Sequence, residues 1–160
     1  LHTLFPYTTL FRSLIMDTPS LSEKRHTVML VDDEESILNS LRRLLRGKPY
    51  DLLLATSGAQ ALSLFELHPI DMIVCDARMP FMDGPTLLRE VHKRDPTCMN
   101  ILLTGYADMS MITQAISDGY IFRYISKPWN DEELQLTLDQ ALDLQNVLRG
   151  RDNPKALISE

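Results

Sequence analysis

D-M-I-V-C-D-A-R-M-P-F-M-D-G, running from Asp71 to Gly84, is the stretch on which the fold turns. Met72, Ile73, Val74 and Cys75 form a short apolar run, the pattern of a strand covered on both faces. Asp76 closes the run, and the Met79-Pro80 and Asp83-Gly84 pairs then break the chain. A carboxylate in that place sits at a strand's carboxyl end, where an open α/β sheet gathers its chemistry.

Upstream, Val28-Met29-Leu30-Val31 runs into Asp32-Asp33, a second strand ending in acids. From Glu34 the period becomes helical: Ile37, Leu38, Leu41, Leu44 and Leu45 form one stripe, closed by Gly47 and Pro49. Tyr50 to Ala55 reads as a strand, and Ser57 caps a helix through Ala59, Ala61, Leu62 and Phe65 that ends before Pro69. Downstream, Leu87, Leu88 and Val91 mark a helix stopped at Asp95-Pro96, and Asn100 to Thr104 is a strand ending on a hydroxyl. Asp108 is expected to cap a helix carrying Ile112, Ala115 and Ile116 and closed by Gly119. Tyr120 to Ser126 forms the fifth strand, ended by Lys127-Pro128.

The last helix runs from about Asn130 to Leu148, with Leu134, Leu138, Ala141, Leu142 and Leu148 toward the core. Its additional apolar positions, Leu136, Leu144 and Val147, are read first as a wide core face, the alternative being a partner surface or a helix leading into a further domain. Strand and helix thus alternate five times without tandem strands. Because each parallel pair needs a right-handed crossover, this predicts an α/β fold, a doubly wound five-stranded parallel sheet between helices.

The composition suits one globular domain: 160 residues, 44% hydrophobic and 24% charged. A net charge of −6 without a Lys/Arg cluster argues against direct nucleic-acid binding and against an anionic membrane partner. Cys75 and Cys98 lack metal-ligand spacing and suggest a reducing compartment. No apolar run reaches the roughly 20 residues of a membrane span. Leu1 is not a start residue, and T-L-F-P-Y-T-T-L-F-R-S from Thr3 to Ser13 resembles a translated sequencing-library adapter. Residues 1–15 are therefore set aside as an artefact, with Met16 the expected native start, 16–25 a flexible leader, 26–148 the domain and 149–160 a short polar tail.

The expected strand ends bring Asp32-Asp33, Asp76, Thr104 and Lys127 to one rim. Three crowded carboxylates raise one another's pKa unless a cation neutralises them, and oxygen-only ligands favour Mg²⁺. Asp76 at such a cation can act as nucleophile toward a phosphoryl group, with Lys127 and the Thr104 hydroxyl binding its oxygens.

These motifs together resemble the response-regulator receiver domain, the CheY-like family, over about His26 to Leu148. V-D-D-E matches the acidic pair, D-A-R-M-P-x-M-D-G the phosphoacceptor strand and turn, L-L-T-G-Y-A-D the switch strand and Y-I-S-K-P-W the last strand. The resemblance implies a flavodoxin-like (βα)5 fold with strand order 2-1-3-4-5. It also implies Asp76 as phosphoacceptor, Lys127 as phosphate partner, and Mg²⁺ held by Asp33, Asp76, the Arg78 backbone carbonyl and, through water, Asp32. Thr104 and Tyr124 would be the switch pair, reshaping the face of helix 4, strand 5 and helix 5. Gly105 should leave Thr104 room to move, and the bulk of Arg78 and Tyr106 should shield the acyl phosphate from water.

The implied phosphodonor is a phosphohistidine on a sensor histidine kinase or phosphotransfer protein, in a bacterial-type cytoplasm. The implied output is protein–protein, toward a downstream target or a phosphorylation-dependent homodimer. No enzymatic or DNA-binding output domain is expected in the residues after Leu148, so the chain is either a stand-alone receiver or the receiver of a longer regulator, for instance one with a cyclic-dinucleotide phosphodiesterase or kinase output. Two other classes compete. A Mg-dependent phosphatase with an Asp nucleophile usually places a second Asp where Arg78 stands, and a docking module that is never phosphorylated has no need of the full Asp33, Asp76, Thr104 and Lys127 set.

Overall fold

The computed structural model describes residues 25–150. The expected artefact at 1–15, nearly all of the leader at 16–25 and most of the tail at 149–160 lie outside the described residues. Five strands alternate with five helices: β1 (His26–Val31), α1 (Glu35–Leu44), β2 (Tyr50–Ala55), α2 (Gly58–Leu67), β3 (Met72–Asp76), α3 (Gly84–Arg94), β4 (Met99–Thr104), α4 (Met109–Ser117), β5 (Arg123–Ser126) and α5 (Asp131–Leu148). A short 3-10 turn, Tyr106–Asp108, precedes α4. All strand pairs are parallel, and the sheet runs β2-β1-β3-β4-β5.

Alternation along the strands divides the core in two. Val28, Leu30, Met72, Val74, Ile101 and Leu103 face α1 and α5, meeting Leu38, Leu41, Leu134, Leu138 and Leu142. Met29, Val31, Ile73, Cys75 and Leu102 face α2, α3 and α4, meeting Ala61, Leu87, Leu88, Val91 and Ile112. That two-sided cover explains why β3 and β4 read as unbroken apolar runs.

Three helix starts use the caps their sequences offer. Ser57 accepts from the Gln60 N–H at 3.1 Å, Asp83 from Thr86 at 2.8 Å, and Asn130 from Glu133 at 3.0 Å. Pro85 in the first turn of α3 and Asp131, Glu132 and Glu133 in that of α5 suit the same ends.

Three expectations are corrected. Asp108 does not cap α4 with its side chain; that carboxylate is engaged elsewhere. The ladder of β5 begins at Arg123 rather than Tyr120, because residues 120–122 are instead tied to Asn100, whose Nδ2 donates to the Tyr120 carbonyl at 2.9 Å. Leu148 faces outward, and Leu136, Leu144 and Val147 are exposed beside it, so they are no part of a widened core.

At the rim opposite the strands' carboxyl ends, Asp71 is buried and accepts from the Thr27 N–H at 2.8 Å and from Arg149 Nη1 at 2.5 Å. Arg149 also reaches Asp95 at 2.8 Å and Thr97 at 2.8 Å, so the last turn of α5 is tied to the base of the sheet.

Candidate functional site

Register alone gathers the site. Val31 pairs with Cys75, Asp76 with Leu103, and Thr104 with Ser126, so the residues that follow β1 and the end of β4 flank the end of β3, and Lys127, after β5, stands one strand further out. Asp32, Asp33 and Asp76 can place one carboxylate oxygen each within 4.8 Å of the others. Lys127 Nζ lies 2.5 Å from Asp76 Oδ1 and 3.6 Å from Asp32 Oδ2. The Lys127–Pro128 peptide is cis.

The acids differ in environment. Asp32 is almost fully buried, with Oδ1 accepting the Glu34 N–H at 2.8 Å, while Asp33 is exposed. Asp32 Oδ2 is buried without a hydrogen-bond partner. Desolvation drives the Asp32 pKa up to about 6, with Asp76 and Asp33 adding to the rise and Glu34 and Lys127 opposing it. Burial likewise raises Asp76, against the hydrogen bond from Lys127. Burial works to lower the Lys127 pKa, yet the hydrogen bond and charge of Asp76, with Asp32 behind it, leave it raised.

An orphaned buried carboxylate oxygen beside two further carboxylates, with one ammonium among three acids, is an electrostatic deficit that a hard divalent cation would fill. The oxygen-only donor set fits Mg²⁺ rather than a softer metal. Of two hollows, one is lined by Arg42, Leu45, Arg46, Tyr50, Asp51 and Leu52 and the other by Glu35, Leu38, Asn39, Leu54 and Thr56, and none of the three acids lines either.

The remaining expected residues divide. Thr104 lies buried at the rim, and its hydroxyl donates to the Gly105 carbonyl at 3.0 Å. Tyr124, on β5, is 40% exposed. The Arg78 side chain is largely exposed and crosses to Asp108, with Nη2 2.8 Å and Nε 3.0 Å from Oδ1. The side chain of Tyr106 lies outside the described residues.

Two residues escape the sequence reading. Gly84 donates its N–H to the Ala77 carbonyl at 2.9 Å, and a Cβ there would stand 2.4 Å from the Asp76 carbonyl oxygen. The Asp83-Gly84 pair signals a turn, but nothing in it signals that the turn presses on the Asp76 backbone. Asp108 is the other: its spacing before a helix signals a cap, which masks its contact with Arg78.

Residues 28–139 match the sequence model of the response regulator receiver domain, and the chain belongs to that family. It is a receiver domain of the kind found in two-component systems; receiver domains bind Mg²⁺ at an acidic pocket, and Asp32, Asp33 and Asp76 form an acidic cluster here. The receiver domain of an HD domain-containing protein from Pseudomonas fluorescens Pf-5 is 45% identical, with a TM-score of 0.76, over 80% of this chain and 94% of that one. A receiver domain protein from Clostridium thermocellum is 30% identical, with a TM-score of 0.72, over 77% and 98%. The hydrogenase transcriptional regulatory protein HoxA of Cupriavidus necator is 35% identical over 79% of this chain and 26% of its own length. The sensor kinase CckA of Brucella abortus is 35% identical over 75% of this chain and 13% of its own. The chain thus spans about a quarter or less of the curated relatives it matches.

Proposed function

We propose that this receiver accepts a phosphoryl group on Asp76 from the phosphohistidine of a sensor histidine kinase or phosphotransfer protein. The observation that carries the reading is the carboxylate trio with Lys127 Nζ 2.5 Å from Asp76 Oδ1 and an unsatisfied Asp32 Oδ2 beside it. An Asp76 carboxylate oxygen attacks phosphorus, the P–N bond breaks, and its electron pair leaves with the imidazole. Asp33, Asp76, the Arg78 carbonyl and, through water, Asp32 would hold Mg²⁺, which would supply charge neutralisation at the phosphoryl oxygens. Lys127 exchanges its Asp76 contact for a phosphoryl oxygen, keeping one cation against the new charge.

The Thr104 hydroxyl then turns from the Gly105 carbonyl to the phosphoryl group, and Tyr124, half out in solvent, packs inward. The altered face is α4, β5 and α5, and it acts on a downstream protein or on a second copy. No small-molecule turnover is involved beyond the domain's own aspartyl phosphorylation and hydrolysis, and the setting is the cytoplasm. No described helix is long and apolar enough to cross a membrane.

A second reading places the domain in a longer regulator. Its 45% identity to the receiver of an HD domain-containing protein favours an output of that kind over a transcriptional one.

Trp129, the one tryptophan, lies two residues after Lys127 and reports on the site without labelling. Its fluorescence should respond to Mg²⁺ and then to acetyl phosphate, and Asp76→Asn should abolish the second response. An unchanged second response in that variant would refute Asp76 as acceptor, and steady turnover of assorted phosphate esters would favour a phosphatase.

A further inference from the structure

Taking Asp76 as the phosphoacceptor, we infer that Asp108 is a positioning residue that, paired with Arg78, latches the switch loop in its resting state. The contacts form a closed circuit. Asp108 Oδ1 receives Arg78 Nη2 at 2.8 Å and Nε at 3.0 Å, while Oδ2 accepts the Gly105 N–H at 3.2 Å. The Gly105 carbonyl accepts the Asp108 N–H at 3.1 Å and the Thr104 hydroxyl at 3.0 Å. One carboxylate thus fixes both the backbone that holds the Thr104 hydroxyl and a side chain two residues beyond Asp76. The Ala77 N–H donating to the Leu103 carbonyl at 2.8 Å joins the same two loops from beneath.

Asp108 is mostly buried although its partner is mostly exposed, so the carboxylate depends on Arg78 and Gly105 for its compensation. Thr104 cannot turn toward Asp76 without giving up the Gly105 carbonyl, and Asp108 is what holds that carbonyl in place. The Arg78 guanidinium is also the side-chain cation nearest in sequence to Asp76, and a phosphoryl group there adds negative charge that competes with Asp108 for it. The pair therefore stabilises the resting loop more than the active one, and its removal shifts the population toward the active state.

The test compares wild type with Asp108→Asn, Arg78→Gln and the double variant. The asparagine keeps an acceptor for the Gly105 N–H but loses the charge; the glutamine alters an exposed side chain and keeps the backbone carbonyl. Affinity for beryllofluoride with Mg²⁺, read by Trp129 fluorescence, should rise about threefold to tenfold in either single variant, as for a partly buried ion pair. The double variant should gain little beyond either single one, since both remove one interaction. Raising NaCl from about 0.05 M to about 0.5 M should narrow the gap between wild type and Asp108→Asn, because salt screens the pair only where it exists. Thermal midpoints confirm that each variant is folded. Variants that bind beryllofluoride as wild type does, or more weakly while folded, overturn the latch alone, as do additive gains in the double variant. Wild-type protein that ignores beryllofluoride overturns the phosphoacceptor reading and the latch with it.

Discussion

Gly84 sets how closely the α3 turn approaches the acid of the site. A methyl group there would overlap the Asp76 carbonyl oxygen at 2.4 Å and the Leu102 Cδ1 at 2.8 Å, and the first of these is backbone that cannot step aside. Gly84→Ala should destabilise the domain by about 1 to 3 kcal/mol, as overpacking does, and slow phosphoryl acceptance by moving Asp76. Urea denaturation with a parallel acetyl phosphate assay checks both, and unchanged values would show that the turn is free to shift. Asp32 gives the pH dependence. Folded, it keeps its proton up to about 6, against an ordinary 3.8, so the folded state binds the proton more tightly. Stability in the absence of Mg²⁺ should therefore fall as pH rises from about 4 to about 6 and then level, by at most about 3 kcal/mol. Asp76, raised by burial, acts in the same sense. Asp32→Asn should flatten most of this slope in thermal melts, and Mg²⁺ should raise the midpoint more at about pH 7 than at about pH 5 because protons compete for its ligands. Asp32, Asp33 and Asp76 were legible in the sequence because each follows a short apolar run, and Lys127 because the Lys127-Pro128 pair ends the fifth strand. Gly84 and Asp108 were not, because their roles depend on how two loops approach each other in space.

Among the elements, α5 separates what periodicity can and cannot decide. Its stripe of Leu134, Leu138, Ala141 and Leu142 is buried as the spacing requires, whereas Leu136, Leu144 and Val147 look the same as letters and lie outside. A helix with apolar residues on two faces does not say which face meets its own sheet. Leu138→Ala should cost about 2 to 5 kcal/mol in chemical denaturation, while Leu144→Gln should stay within about 0.5 kcal/mol of wild type. A large loss at Leu144 would restore the wide core face. The start of α4 carries a similar lesson. An acid before a helix is normally a cap, but the nearby Arg78 and the Gly105 N–H occupy the Asp108 carboxylate instead. In β5 the pairing of Asn100 with the Tyr120 carbonyl delays the ladder to Arg123, a side-chain choice that apolar patterning does not encode.

At the scale of the whole molecule, strand–helix alternation was enough to predict a doubly wound parallel sheet, since parallel strands joined by helices admit few other solutions. The order β2-β1-β3-β4-β5 came with the family resemblance, because apolar runs say that strands pair but not which neighbours they choose. The Arg149 network at the opposite rim was illegible for the same reason as Asp108: Arg149 follows the last helical stripe as one more polar residue, and only the fold brings Asp71 and Asp95 to it. The sheet holds the acids and Lys127 at one rim, while the Arg149 contacts tie the last turn of α5 at the other. The most direct measurement of this account is the intact mass of the protein after incubation with acetyl phosphate, with and without Mg²⁺, for wild type and Asp76→Asn. The account predicts one added phosphoryl group on the wild type, dependent on Mg²⁺, and none on the variant. An equal gain on Asp76→Asn, or no gain on wild type with Mg²⁺ present, would contradict it.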